Sequence, residues 1–215
     1  MPVEVKICGL STPETVDAAI AAGAGFVGFV FYPKSPRHVS LEQAAALAAR
    51  ARGRAKIVAL TVDADDALLM EIMEAVGPDF FQAHGAETPE RIFAITALTG
   101  KPVIKAIRVR DAADVAAAAA YSSAASLILY DAKAPETLGG SLPGGNGLAF
   151  DWSLLGGDKR QAFMLAGGLN PGNVAEAIRV TYAPIVDVSS GVETSPGIKD
   201  ISLIRKFIEA AKRAG

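Results

Sequence analysis

Short apolar runs with the composition of β-strands recur along the whole chain, and a stretch with helical periodicity follows nearly every one. Apolar strands that alternate with helices are typical of a parallel sheet covered by helices. No linker or change of composition divides residues 1–215, so we predict one α/β domain, a (β/α)8 TIM barrel with a closed, parallel, eight-stranded sheet. A doubly wound open sheet is the alternative. The predicted strands are Val3–Cys8, Phe26–Phe31, Lys56–Val62, Asp79–His84, Pro102–Val109, Ser126–Asp131, Ala162–Gly167 and Pro184–Ser189.

Capping residues mark the ends of several helices. In "STPETVDAAIAAG" and "ETPERIFAITALTG" a threonine precedes a proline, and a glycine closes the segment. Threonine suits the N-cap, proline the first helical position and glycine the residue after the last turn. The exception follows the sixth strand, where the sequence supports only a short helical piece around Asp151–Leu155.

Composition and charge exclude several classes of partner. The net charge is −2 with no block of like charge, which argues against nucleic acid and acidic membranes, because both need clustered lysine and arginine. No apolar run is long enough to span a bilayer. The single cysteine suits a reducing compartment, and the first residues include glutamate and lysine where a secretory signal is apolar. We therefore expect a cytoplasmic protein.

Polar side chains follow or end the predicted strands, at the rim where loops build the active site of such barrels. They are Cys8, Arg37, His84, Asp131 and Asp187. Each has a structural interpretation as well: Cys8 as a small buried hydrophobe, Arg37 as a solvated charge, and Asp131 as the start of a turn. His84 could orient a neighbour rather than react, and Asp187 could make a structural hydrogen bond. Convergence on one rim favours the functional interpretation.

Two glycine-containing loops predict a phosphate site. Glycine lets backbone N–H groups approach an anion closely, and the loops after the seventh and eighth strands hold phosphate in many barrels. In "LAGGLNPGNV" we expect Asn170 to cap a helix that Pro171 opens. Ordinary glycine turns are the alternative. The predicted phosphate-binding residues are Gly167, Gly168, Ser189, Ser190 and Gly191.

Ordered motifs along the chain resemble those of the phosphoribosylanthranilate isomerase family of tryptophan biosynthesis. They are "VKICGL", "GFVFYPKSPRHVS", "QAHG", "YDAK" followed by "GGNGLAFDW", "LAGGLNPGNV" and "VDVSSGVE". The resemblance implies an Amadori rearrangement of a phosphosugar, with no metal and no cofactor. It implies that Cys8 is the general base and Asp131 the general acid, that Arg37 faces the anthranilate, and that Asp187 lies near the reacting sugar.

Further expectations follow from the reaction. We expect His84 to join Arg37 and Asp187 in binding substrate, and the chain to be a monomer or weak homodimer. A free thiol has a pKa of about 8.5, so Cys8 needs a positive neighbour to act as a base at neutral pH. If strand alternation holds, Lys6 shares its face inside the barrel and supplies that charge. The Gly-rich segment 134–148 is predicted to be a mobile lid, because long loops in compact domains are often functional.

Two other functions remain open from the sequence. A related phosphosugar barrel, the histidine-pathway isomerase, uses two aspartates, whereas this chain has Cys8 at the first strand. A non-catalytic phosphate-binding barrel would keep its function when Cys8 is replaced by alanine.

Overall fold

Eight parallel strands close into a barrel in the order β1 to β8, with β1 paired to both β2 and β8. The architecture comes from a computed structural model that describes residues 2–132, 149–156 and 162–215. The strands are β1 (Glu4–Cys8), β2 (Phe26–Phe31), β3 (Lys56–Thr61), β4 (Phe80–Ala83), β5 (Val103–Val109), β6 (Leu127–Ala132), β7 (Phe163–Leu165) and β8 (Ile185–Val188). The predicted closed barrel is therefore confirmed, and no strand end differs from the predicted one by more than two residues.

In the described part of the chain, α-helices that pack around the barrel follow β1 to β5, β7 and β8. They are α1 (Pro13–Ala22), α2 (Leu41–Ala51), α3 (Asp66–Val76), α4 (Pro89–Thr99), α5 (Ala112–Ala117), α6 (Val174–Thr181) and α7 (Ile201–Ala214). Thr12 caps α1 and Thr88 caps α4 as predicted, each accepting a hydrogen bond from a backbone N–H in the first turn. The short helical piece predicted after β6 is a 3₁₀ turn at Trp152–Leu155.

One predicted helix start is wrong. Asn170 does not cap a helix that Pro171 opens, because α6 begins at Val174. The Asn170 side chain instead accepts a hydrogen bond from the N–H of Gly172 at 2.8 Å, which forms a local turn ahead of the helix. Asparagine serves a turn and an N-cap by the same kind of bond, so the motif alone does not distinguish them.

The apolar core has two main layers. The larger one lies between the strands and the helices, and α7 contributes Ile204, Phe207 and Ile208 to it. The other fills the barrel interior, where Phe26, Val58, Ile104, Leu129 and Met164 are among its members. Filling of the interior by such side chains leaves the polar residues of the barrel concentrated toward one end.

An additional hairpin follows β8. Its strands are β9 (Glu193–Ser195) and β10 (Ile198–Lys199), which pair antiparallel across the Pro196–Gly197 turn. Among the described residues, no helix is both long and apolar enough to cross a membrane. The predicted lid, residues 134–148, lies outside the described residues.

Candidate active site

Lys6 and Cys8 share the inner side of β1, as alternation along the strand predicts. Lys6 is fully buried and donates from Nζ to Asp187 Oδ1, the neighbouring residue on β8, at 3.0 Å. On the other side, a Cβ atom added at Gly28 of β2 would lie 3.0 Å from Cys8 Sγ and 3.3 Å from Lys6 Cε. The absence of a side chain at residue 28 therefore leaves room for the lysine and the thiol.

The electrostatics of Cys8 differ from the expectation that a positive neighbour activates it. Burial raises the pKa of the Cys8 thiol, and the nearby carboxylate of Asp187 raises it further. The charges of Lys6 and Lys199 oppose this rise without overcoming it. Lys6 is placed where the sequence predicted, but burial has the larger effect on the pKa. In the free protein Cys8 is thus a protonated thiol at neutral pH.

Lys6 itself stays charged. Burial lowers its pKa, but the charge of Asp187 and the interactions of Lys6 with the Cys8 side chain outweigh burial and hold the pKa of Lys6 above its ordinary value. A buried ammonium without such partners would lose its proton. The barrel therefore contains a fixed positive charge beside the thiol.

Arg37 is buried rather than solvated. Its guanidinium donates to both carboxylate oxygens of Glu193, with Nε to Oε1 at 2.7 Å and a terminal nitrogen to Oε2 at 2.8 Å. This two-bonded geometry fixes the plane of the guanidinium as well as its position. Glu193, in the hairpin after β8, thus fixes Arg37, which lies in the loop after β2.

Lys199 on β10 completes this group. Its Nζ donates to Glu193 Oε1 at 2.6 Å and to the carbonyl and hydroxyl oxygens of Ser189 at 3.0 and 3.1 Å. Burial lowers the pKa of Lys199 to about 8, in spite of the opposing charge of Glu193. Burial alone would raise the pKa of Glu193, but the bonds from Arg37 and Lys199 outweigh it and lower that pKa.

His84 and Asp131 meet on the opposite part of the rim. His84 follows β4 and its Nε2 lies 3.2 Å from Asp131 Oδ2, while Nδ1 lies 2.9 Å from Gln82 Nε2. The other oxygen of Asp131, Oδ1, accepts a hydrogen bond from the N–H of Ala132 at 2.9 Å. The contact is consistent with the alternative interpretation of His84, in which it orients a neighbour, and that neighbour is Asp131, the expected general acid.

A further buried ion pair supports the loop that follows His84. Lys105 on β5 lies 2.9 Å from the carboxylate of Glu87 and donates to the carbonyl of Gly85 at 2.8 Å. Glu87 also accepts from the N–H groups of Gly85 and Asp63. Burial raises the pKa of Glu87, but Lys105 and these backbone donors outweigh it and keep the pKa low. The loop after β4 is therefore held by charge-assisted bonds.

The two predicted phosphate loops contact each other. Gly167 and Gly168 have φ values of 85° and 64°, which side chains rarely tolerate. A Cβ atom at Gly191 would collide with the carbonyl of Leu169, so the loop after β8 lies directly on the loop after β7. The hydroxyl of Ser189 donates to the carbonyl of Cys8 at 3.1 Å, which ties this region to the end of β1.

The structure thus gathers four of the predicted side chains into two groups, while Arg37 lies with Glu193 and Lys199. Cys8 and Asp187 lie with Lys6 on β1 and β8, whereas His84 and Asp131 lie together on the side of β4 and β6. On the shorter path around the barrel, β7 and β8 separate the strands of Cys8 and Asp131.

Sequence reasoning missed Glu193, Lys199, Lys105 and Glu87. A detectable signal existed for the first two, because opposite charges flank the Pro–Gly turn in "ETSPGIK". For Lys105 the signal was a charge within the apolar run "VIKAI". Among the described residues, no group of three or more His, Cys, Asp or Glu is arranged to hold a metal ion.

Comparison with known proteins identifies the relatives of this barrel. A family model described as N-(5'phosphoribosyl)anthranilate (PRA) isomerase matches residues 5–210. The chain belongs to the PRA isomerase family. Relatives of that name from Parvibaculum lavamentivorans and Rhizobium meliloti are each 54% identical over 215 residues. The matches cover 100% of this chain, and 100% and 99% of the two relatives.

Solved PRA isomerases share the architecture. The enzyme from Thermotoga maritima is 38% identical, with a TM-score of 0.88 over 98% of this chain and 99% of that one. Another solved chain of the family, in complex with reduced 1-(o-carboxyphenylamino)-1-deoxyribulose 5-phosphate, is 35% identical with a TM-score of 0.84. Its coverage is 98% of this chain and 99% of the solved chain.

Proposed function

We propose that this chain is an N-(5'-phosphoribosyl)anthranilate isomerase of tryptophan biosynthesis. It converts its substrate by an Amadori rearrangement into 1-(2-carboxyphenylamino)-1-deoxyribulose 5-phosphate. The observation that carries the proposal is a full-length match, at 54% identity, to relatives of this name. The Cys8 thiol on β1 is a candidate for the base that the rearrangement needs, and the Asp131 carboxyl group on β6 is a candidate for the acid.

Asp131 is the proposed general acid. The ring oxygen of the ribose must gain a proton as the C1'–O4' bond breaks and a protonated Schiff base forms. The Asp131 carboxyl group is almost fully buried. Its two oxygens form hydrogen bonds with His84 and with the N–H of Ala132, so its orientation is fixed. A fixed carboxyl group can be held in line with the accepting oxygen, which favours proton transfer.

Cys8 is the proposed general base that removes the proton from C2' of the Schiff base. The thiolate is the active form, and burial disfavours it in the free protein. The Schiff base brings a positive charge next to the fixed charge of Lys6, and both favour the thiolate. The resulting enolamine then tautomerises to the ketose, which completes the rearrangement without a cofactor.

The remaining groups bind the substrate. Arg37 is proposed to pair with the anthranilate carboxylate, for which its guanidinium is held in place by Glu193. Asp187 and His84 are proposed to lie against the sugar. Phosphate is proposed to bind between the two glycine-containing loops, at Gly167, Gly168, Ser189, Ser190 and Gly191. Their mutual contact and left-handed glycines support this placement.

Three further properties belong to the proposal. Residues 1–215 act as one catalytic domain, since the barrel draws its strands from the whole chain. The protein works in the cytoplasm, where a lone thiol remains reduced. It is a monomer or a weak homodimer.

A steady-state assay with phosphoribosylanthranilate tests the proposal, because substrate consumption changes anthranilate fluorescence. We expect turnover by the purified chain and its loss in Cys8→Ala. Absence of turnover in the wild-type chain, with turnover of the corresponding histidine-pathway aminoaldose instead, would replace this function with that of the related isomerase. Binding of a phosphosugar without any turnover would indicate a non-catalytic barrel.

A further inference from the structure

Gln82, His84 and Asp131 form a chain of hydrogen bonds that crosses from β4 to β6. Gln82 Nε2 lies 2.9 Å from His84 Nδ1, and His84 Nε2 lies 3.2 Å from Asp131 Oδ2. Gln82 is completely buried, and the other two side chains are nearly so. The proposed acid is therefore connected, through one imidazole ring, to an amide inside the barrel.

The direction of this chain follows from the donor and acceptor capacity of each group. An amide NH₂ group only donates, so a ring nitrogen that faces it must accept. With Nδ1 of His84 as the acceptor, the single proton of the neutral ring is on Nε2, which then donates to Asp131. In the other tautomer an N–H would face the amide N–H, and a lone pair would face the carboxylate.

We propose that Gln82 is a positioning residue for the isomerase reaction, and that its amide holds His84 in the Nε2–H tautomer that donates to Asp131. The inference rests on the proposed function, in which Asp131 delivers a proton to the substrate. His84 then engages Oδ2 while the N–H of Ala132 engages Oδ1. Both oxygens are fixed, so the carboxyl group is presented to the ring oxygen in one orientation.

The surroundings of Gln82 argue against a role in packing alone. Its register partners on β3 and β5 are Leu60 and Ile104, both apolar. Its Oε1 is buried and has no hydrogen-bond partner among the described residues. A buried carbonyl oxygen without a partner is destabilising, and a methionine of similar size would avoid that penalty. At this position the amide N–H of Gln82 makes a hydrogen bond, whereas its carbonyl oxygen makes none among the described residues.

The tautomer can be observed directly in the resting protein. Nitrogen-15 NMR distinguishes protonated from unprotonated ring nitrogens, and the chain has only two histidines, of which His38 serves as the internal reference. We expect His84 to show an unprotonated Nδ1 and a protonated Nε2. In Gln82→Met we expect a mixture of tautomers at His84 and an unchanged His38. A wild-type His84 with its proton on Nδ1 overturns the proposal.

Kinetics on a double-mutant cycle test whether the tautomer matters for turnover. In His84→Gln the side-chain amide can donate to Asp131 whatever the residue at position 82, since an amide has no tautomers of this kind. We expect Gln82→Met to lower kcat by about five- to tenfold in the wild-type background, the scale of one intramolecular hydrogen bond. In the His84→Gln background the same substitution should have little further effect.

Matched variants separate positioning from folding. Gln43→Met removes an exposed amide of α2, which donates to the carbonyl of Ser11, and should change neither the His84 resonances nor kcat. An equal loss of kcat from Gln82→Met in both backgrounds would show that Gln82 only packs, and would overturn the proposal. If Gln82→Met does not fold, the wild-type tautomer decides the question, together with a comparison of kcat between Gln82→Asn and Gln82→Leu. A wild-type chain without isomerase activity would refute the proposed function but leave the tautomer measurement interpretable.

Discussion

Lys6 and Asp187 form an ion pair inside the barrel, with Nζ and Oδ1 separated by 3.0 Å. The pair joins the first strand to the last, so it lies at the point where the sheet closes. Cys8 is two residues further along β1, and its thiol interacts electrostatically with both members of the pair. The same ion pair therefore lies where the barrel closes and beside the proposed base.

Replacing Lys6 by methionine should therefore have two effects. Breaking a buried ion pair by removing one partner leaves an uncompensated charge on Asp187 and typically costs about 3–5 kcal/mol of stability. The pKa of Cys8 should also rise further, because its main positive neighbour is lost while Asp187 remains. Chemical denaturation measures the first effect. The ultraviolet absorbance of the thiolate, followed against pH, measures the second in this single-cysteine protein.

Lys105→Met is the matched control, because it breaks a different buried lysine–carboxylate pair, with Glu87. It should reduce stability by a similar amount and leave the titration of Cys8 unchanged. Lys6→Met/Asp187→Asn should recover part of the lost stability, since it removes both charges. A Cys8 titration that stays in place in Lys6→Met would contradict the electrostatic coupling.

Cys8→Ser and Asp131→Asn should each lower kcat by about 10²–10⁴-fold, the usual contribution of a positioned acid or base. Both replacements nearly preserve shape, so the affinity for a product analogue should change little. Calorimetric binding of the analogue together with steady-state kinetics separates the two quantities. A loss of less than tenfold in both variants would remove these residues from the acid and base roles.

Much of the fold was predictable because local signals and tertiary structure agree. Apolar strands such as "FVGFVF" are buried on both faces, and the Thr–Pro starts of α1 and α4 have one favourable local conformation. Lys6 was placed correctly because alternation along a strand fixes which side chains share a face. These features depend on residues that are neighbours in sequence.

The rest of the site depends on contacts between distant segments. Arg37 and Glu193 are 156 residues apart, and nothing local indicates that one holds the other. The raised pKa of Cys8 likewise results from the balance between burial and charges, which the positions of Lys6 and Lys199 alone do not determine. Asn170 shows a local ambiguity, since the same side-chain bond makes either a turn or a cap.

Arg37→Ala should chiefly raise KM. The guanidinium can hold the anthranilate carboxylate in both substrate and product, so its contribution to binding is nearly uniform along the reaction. Arg37→Lys should recover little, because an ammonium cannot reproduce the two parallel bonds to Glu193 that fix the guanidinium.

The control for this variant is Arg50→Ala, which removes an arginine paired with Asp17 at the surface of α1 and α2. It should leave both KM and kcat unchanged. If kcat collapsed in Arg37→Ala at constant KM, Arg37 would belong to the chemical step rather than to binding.

Lys199 should make the stability of the protein depend on pH in the alkaline range. Its pKa is lowered from 10.5 to about 8 in the folded state. Between these two values the unfolded chain binds more protons at this residue than the folded protein, so the free energy of unfolding rises with pH. The penalty for burying the charged amine is fully present below pH 8 and is relieved as the pH rises toward 10.5.

Cys8 acts in the opposite direction, so its contribution has to be removed before the slope is measured. The raised pKa of Cys8 means that its stabilising contribution is lost as the thiol of the unfolded chain ionises, above about pH 8.5.

We therefore compare Cys8→Ser with Cys8→Ser/Lys199→Met by denaturant titration at several pH values. The difference in unfolding free energy should shift in favour of the lysine-containing protein as the pH rises through 8. Lys206→Met, at an exposed lysine of α7, should show no such shift in the same background. A pH-independent difference for Lys199→Met would mean that Lys199 keeps its proton throughout this range.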